Sequence, residues 1–256
     1  MESRLARELR MAHHPVAVQL TDRRPDGALQ FKEGARGCVV QMLYAVAAQG
    51  RTAVFDRRTV GCPGGFVGLC FGSVYDRMPG GIEYFLSTGR GEGFPPGERY
   101  FKSPDVAKAW VDQLPITDVP REFVVFRPVS EADDTDKRPD IVVFTVGPDQ
   151  LAALVCLAGY DRPPGEHVAM PFGAGCHSIC LLPYREVAKE YPRAIVGAID
   201  PTVRTMAGPD VLTFSVPYSM YIELESNVPG SFLETHTWAK VRERQSAQSP
   251  PAGSEG

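Results

Sequence analysis

The chain has 256 residues, enough to enclose a substantial hydrophobic core. Its 27 Lys and Arg against 31 Asp and Glu leave a formal charge of −4, which speaks against a nucleic-acid binder that works by phosphate neutralisation. No apolar run approaches the ~20 residues of a membrane helix, and the opening MESRLARELRMAHH lacks an export-signal core. The expectation is therefore a cytoplasmic protein with neither nucleic acid nor membrane as partner.

The chain opens with Leu5 and Leu9 at helical spacing, which predicts a short amphipathic helix over 2–11. A strand follows over 15–20, and CVVQMLYAVAA reads as an apolar helix from Cys38 to Ala48 stopped by Gly50. A short strand is expected over 52–55. The stretch GCPGGFVGLCFG carries five glycines in twelve residues and should not form an ordinary helix interior. Residues 82–86 read as helical, 87–104 as a polar Gly- and Pro-rich loop, and 62–104 as either a lid over a cleft or a plain excursion.

In the second half, 106–114 predicts a helix and 123–128 a strand, followed by an acidic connection, EADDTDKRPD. DIVVFTV over 140–146 is a buried strand. It leads through Gly147-Pro148 into a helix over 149–158, with Pro at the first turn and Gly159 at the stop. Further strands are expected over 194–199 and 211–216, and helices near 183–191, over 218–225 and over 231–244. Ser231 and Glu234 have the spacing of a capping box. The pattern predicts an α/β fold, with α+β as the alternative: one domain over 1–245, a mixed sheet flanked by helices, and a disordered tail over 246–256.

Chemistry is sought first among the six cysteines. Cys38, Cys62 and Cys176 each follow a glycine, in GC, GCPGG and GAGC. Gly37, Gly64, Gly65 and Gly175 would let the backbone approach a bulky group and aim amides at it. A helix start also favours a thiolate. Cys156, inside LAALVCLAG, and Cys70 read as packing residues. Cys180, four residues after Cys176, is a spare ligand, a resolving thiol or core. There is no CxxC knuckle of a zinc site and no closely spaced ferredoxin run. Three distant cysteines suit a catalytic-type 4Fe–4S cluster with one iron left open.

The order of GCVVQML, GCPGG, GGIEYFLS, PDIVVF, GAGCHSIC, LTFSVPYSMY and SFLETHTW resembles the uncharacterised ArCR family, domain of unknown function 169, from about Pro15 to Arg244. The resemblance implies cysteines at Cys38, Cys62 and Cys176, with a further cysteine near Asp200 in some branches. Here that position holds Asp200, so a carboxylate or an open site would meet the fourth iron. The family implies no established activity.

Among the remaining polar residues, His177 could ligate or donate a proton. Arg204 could bind an anionic group by its fork or pair with Asp200, and Glu83 could face a cleft. His13 and His14 suit a helix end, while His167 and His236 suit the surface. The leading expectation is a cluster enzyme acting as a lyase, in sulfur transfer or in redox chemistry. Cys38, Cys62, Cys176 and Asp200 would surround the metal, with His177, Arg204 and Glu83 as catalytic groups and a small, anionic substrate. A homo-oligomer stays open. The alternatives are a metal-free thiol enzyme with Cys176 as nucleophile, and a non-enzymatic redox-sensing or ligand-binding module.

Overall fold

The computed structural model describes residues 2–89, 97–132 and 138–248. Among these, seven strands form one mixed sheet in the order β2-β3-β1-β4-β7-β6-β5. The strands are β1 (Val16–Thr21), β2 (Ala53–Phe55), β3 (Phe123–Pro128), β4 (Ile141–Val146), β5 (Val168–Ala169), β6 (Ala194–Gly197) and β7 (Leu212–Pro217). Neighbours run antiparallel except the β5–β6 pair. The α/β expectation of a mixed sheet with helices holds.

Residues alternate across the pleat, so the central strands feed two cores. From β1 and β4, Val16, Val18, Ile141 and Val143 enter one core, and Ala17, Val142, Phe144 and Val146 enter the other. The second core is closed by α1 (Arg4–Glu8), α6 (Pro148–Ala158), α9 (Tyr218–Ser226) and α10 (His236–Gln248), through Leu5, Leu154, Leu157, Met220, Leu224 and Trp238. The first is closed by α2 (Val39–Gln49), α3 (Pro63–Gly68) and α7 (Leu181–Tyr184), with α4 (Ile82–Leu86) and α5 (Pro104–Gln113) outside them. A short α8 (Pro201–Arg204) follows β6.

The predicted elements recur with small shifts at their ends, and several readings are corrected. GCPGGFVGLCFG does contain a helix, α3, with Pro63 in its first turn. Its glycines are set by neighbours: a Cβ at Gly65 would lie 2.9 Å from Val39 Cγ2, and one at Gly68 would lie 2.7 Å from the Cys176 carbonyl carbon. Cys156 is not core but exposed, because the buried face of α6 is Ala153, Leu154, Leu157 and Ala158.

The helix expected near 183–191 ends at Tyr184. The one expected over 231–244 is interrupted: Ser231 caps a 3₁₀ turn over Phe232–Glu234, extended Thr235 breaks it, and α10 begins at His236. Residues 246–248, assigned to a disordered tail, lie in α10, while 249–256 fall outside the described residues, as do 90–96 of the polar loop and 133–137 of the acidic connection. His14 is not at the end of α1. Its backbone N–H donates to Ala47 O (2.9 Å) in the last turn of α2, which the left-handed Gly50 (φ 65°) then terminates.

Candidate functional site

Cys38 and Cys62 occupy equivalent places in two unrelated segments. Each is the N-cap of its helix, α2 or α3, in nearly the same extended backbone (φ −88°, ψ 121° and φ −83°, ψ 121°). Their carbonyls take the first helical bonds, from Met42 N–H (3.1 Å) and Phe66 N–H (2.9 Å). Neither side chain makes a capping hydrogen bond in this geometry, and the Val40 and Gln41 amides of the α2 start lie near the Cys38 sulfur. Cys176 lies in the 3₁₀ turn Gly175–Ser178, which rests on α3, and its thiol donates to Gly64 O at 2.9 Å.

All three cysteines line one cavity of 280 Å³, together with Asp200. Segments separated by 24 and then 114 residues thus meet at one place. The glycines divide into two groups. Gly64 opens onto the cavity: a Cβ there would stand 3.5 Å from Cys176 Sγ and 4.0 Å from the Tyr75 hydroxyl. Gly65 and Gly175 also line the cavity, and at these two and at Gly37, all expected to approach a cofactor, the missing Cβ admits neighbouring parts of the chain. Added Cβ atoms would meet the Phe31 ring at 2.3 Å, Val39 at 2.9 Å and Val203 at 2.6 Å. The Gly175 amide is likewise engaged, donating to Asp200 Oδ2 at 2.6 Å.

Asp200 is buried and caps α8 through Val203 N–H (3.1 Å), so one carboxylate ties the Cys176 turn to α8. Burial raises its pKa, against the pull of these hydrogen bonds. The Tyr100 hydroxyl sits among Asp200, Glu98 and Thr202 and brings its segment onto the cavity. Burial pushes the Tyr100 phenol up to about 12, so it stays protonated.

Two of the thiols, Cys176 and Cys38, are pushed up as well. Cys176 is raised well above its ordinary value by burial, then by Cys62, Cys38 and Asp200. Burial also raises Cys38, although the Gln41 and Val40 amides favour its thiolate. As bare thiols these two stay protonated near neutral pH; a bound cation would reverse that logic and deprotonate them.

The expected catalytic groups lie elsewhere. His177 is buried behind the cavity wall, with Nε2 2.9 Å from the Tyr75 hydroxyl and its ring stacked on Trp110. Burial lowers its pKa to about 4, leaving it neutral. Tyr75, which does line the cavity, is thus oriented by His177. Arg204 neither pairs with Asp200 nor reaches the cavity; its guanidinium donates to the carbonyls of Gly208, Pro209 and Val211. Glu83 is absent from the lining. It lies on α4, whose Ile82, Phe85 and Leu86 face the cavity instead.

Cys180 belongs to a separate pair: its sulfur lies 3.8 Å from Cys70 Sγ, both fully buried. A 3₁₀ turn rather than an α-helix separates Cys176 from Cys180, which removes the shared face that a four-residue spacing implied. The lining residues Arg36, Tyr75, Glu98 and Tyr100 were missed in the sequence, where no local pattern marks them.

Among the described residues, no three His, Cys, Asp or Glu side chains are arranged around a single metal ion. A cluster makes a different demand, because its ligands each bind a separate iron around a common core.

A family model of the uncharacterised ArCR proteins, domain of unknown function 169, matches residues 4–227. The chain belongs to that family. No curated protein and no solved structure matches this ArCR chain. No helix among its described residues is long and apolar enough to cross a membrane.

Proposed function

We propose that this ArCR protein binds one 4Fe–4S cluster through Cys38, Cys62 and Cys176 and acts on a small molecule at the remaining iron. One observation carries the reading: three thiols from distant segments, two of them at helix N-caps without capping bonds, line the same cavity. The donor set suits the group, since thiolate sulfur is the usual ligand of iron in such clusters. Gly64, with no Cβ beside Cys176 Sγ, leaves room at the sulfur.

When bound, such a cluster supplies an iron with a coordination position open to substrate or solvent. The chain's own residues do the rest. Asp200 fixes the Cys176 turn through Gly175 N–H, and Tyr75, held by His177, presents a protonated hydroxyl to the cavity. Ile82, Phe85 and Leu86 restrict water there. Oxygen-sensitive iron of this type suits the reducing cytoplasm.

Anaerobic, iron-replete expression followed by iron and sulfide analysis tests the reading. About four iron and four sulfide per chain are expected. Both should be lost in Cys38→Ser, Cys62→Ser and Cys176→Ser and kept in Cys180→Ser. A colourless, iron-free protein from that preparation defeats it.

The metal-free thiol enzyme is less well supported, because Cys176 is buried with a raised pKa and its thiol donates to the Gly64 carbonyl rather than to a basic side chain. The Cys70–Cys180 pair favours the redox-sensing alternative, in which mild oxidant would join these two sulfurs while Cys38, Cys62, Cys156 and Cys176 stay free.

A further inference from the structure

We infer that the cavity beside the three thiols takes an uncharged, mainly apolar small molecule rather than the small anion expected from the sequence. This deepens the proposed function but shares with it only the location, because the apolar walls come from residues that ligate nothing.

Size comes first. An apolar cavity of about 150 Å³ already holds benzene, and this one measures 280 Å³, of which a cluster on the three sulfurs would take only the thiol end. Ile82, Phe85 and Leu86 project from one side of α4, with Met78 before them, and Val203 and Met206 come from the α8 region. Such walls offer dispersion contact and desolvation over most of a ligand's surface, and few groups that could replace the hydration of a charge.

Charge points the same way. Among the described lining residues Arg36 is the one cation, itself exposed, and the same lining carries two carboxylates, Asp200 and Glu98. Arg204, which the sequence offered as the anion-binding fork, is engaged with three backbone carbonyls. An anion would therefore enter a poorly solvated site beside Asp200, Glu98 and three sulfurs, where repulsion is weakly screened. A neutral molecule escapes that cost. It can still find polar anchors at the Tyr75 hydroxyl and at the Tyr100 hydroxyl beside Thr202 and Glu98.

The test compares 2-naphthol with 2-naphthoate, two probes that share a ring system and differ in charge, titrated calorimetrically into the full chain purified anaerobically. The neutral probe should bind at least about tenfold more tightly. Phe85→Glu and the milder Ile82→Gln should each weaken it by about tenfold while leaving iron content unchanged. Equal or tighter binding of the carboxylate, abolished by Arg36→Gln, overturns the inference, as does failure of both probes to bind. An iron-free protein that still prefers the naphthol sinks the cluster but sustains the neutral pocket. An iron-loaded protein that binds neither probe does the reverse.

Discussion

The two faces of the sheet are built from the same strands and end up with different properties. On one face, α1, α6, α9 and α10 pack apolar side chains over Phe144, Phe214 and Val216. On the other, α2 is the only described helix of more than ten residues against the core. The rest of that cover is short turns and helices pressed together at glycines: Gly37 on Phe31, Gly61 on Ala35, Gly68 on Cys176. The regular face holds the fold, whereas the irregular face trades periodicity for close approach of distant segments. Close approach is what brings three cysteines to one cavity.

If the faces divide stability and chemistry in this way, the deepest injury to stability should come from the regular side and leave the site's chemistry intact. Phe214 is fully buried there, its ring centroid 6.5 Å from that of Phe144. Phe214→Ala should cost about 3–5 kcal/mol, read from urea unfolding, with iron per folded chain unchanged. A small loss would mean that the helical face is not the anchor.

The irregular face should be the more sensitive to acid, because it buries a neutral imidazole. His177 is lowered from 6.5 to about 4 by burial. Between those values the unfolded chain carries the proton and the folded one does not, so stability falls as pH drops through that window and levels off below it. At about 1.4 kcal/mol per pK unit, the full loss is about 3 kcal/mol. Urea midpoints of the cluster-free protein from pH 7 to pH 4 should show this decline, and His177→Gln should flatten it. An unchanged slope in the variant would assign the acid sensitivity to another group.

Legibility from sequence follows the same division. DIVVFTV followed by Gly147-Pro148 and an apolar 3.6-residue pattern reads directly as β4 and α6, because local pattern and burial agree. The glycines around the cysteines stand out in the sequence, but what each of them admits does not. At Gly37, Gly65 and Gly175 the space admits another part of the chain, which only the assembled fold reveals. Arg204 looked available as an anion fork because nothing in AIDPTVR announces that the 208–211 loop folds back onto it. Tyr75 and Tyr100 carried no pattern at all: each is placed by a partner roughly a hundred residues away, His177 for one and Thr202 for the other.

A paired glycine substitution sharpens that point. At Gly68 a new Cβ would press to 2.7 Å on the Cys176 carbonyl, backbone against backbone, whereas at Gly64 the nearest atom, Cys176 Sγ, would be an ordinary 3.5 Å away. Gly68→Ala should therefore lose about 1–3 kcal/mol and disturb cluster loading. Gly64→Ala should keep the stability and change only what the cavity admits. Equal melting temperatures for the two variants would remove close packing as the reason for glycine at 68.

The smallest expected effect separates the cysteines themselves. Cys156 sits on the regular face but points away from the core, beside Val155, which is 43% exposed. Cys70 and Cys180, on the irregular face, are fully buried against each other. Exposed positions without partners tolerate substitution within about 0.5 kcal/mol, so Cys156→Ser should leave unfolding midpoint and iron content where they were. It should also remove the fastest-reacting thiol in the native protein toward a thiol reagent. Cys70 and Cys180 should label only on unfolding. If Cys70 labelled as fast as Cys156, the glycine-rich cover would be opening on its own, and close approach would describe a transient rather than a resting arrangement.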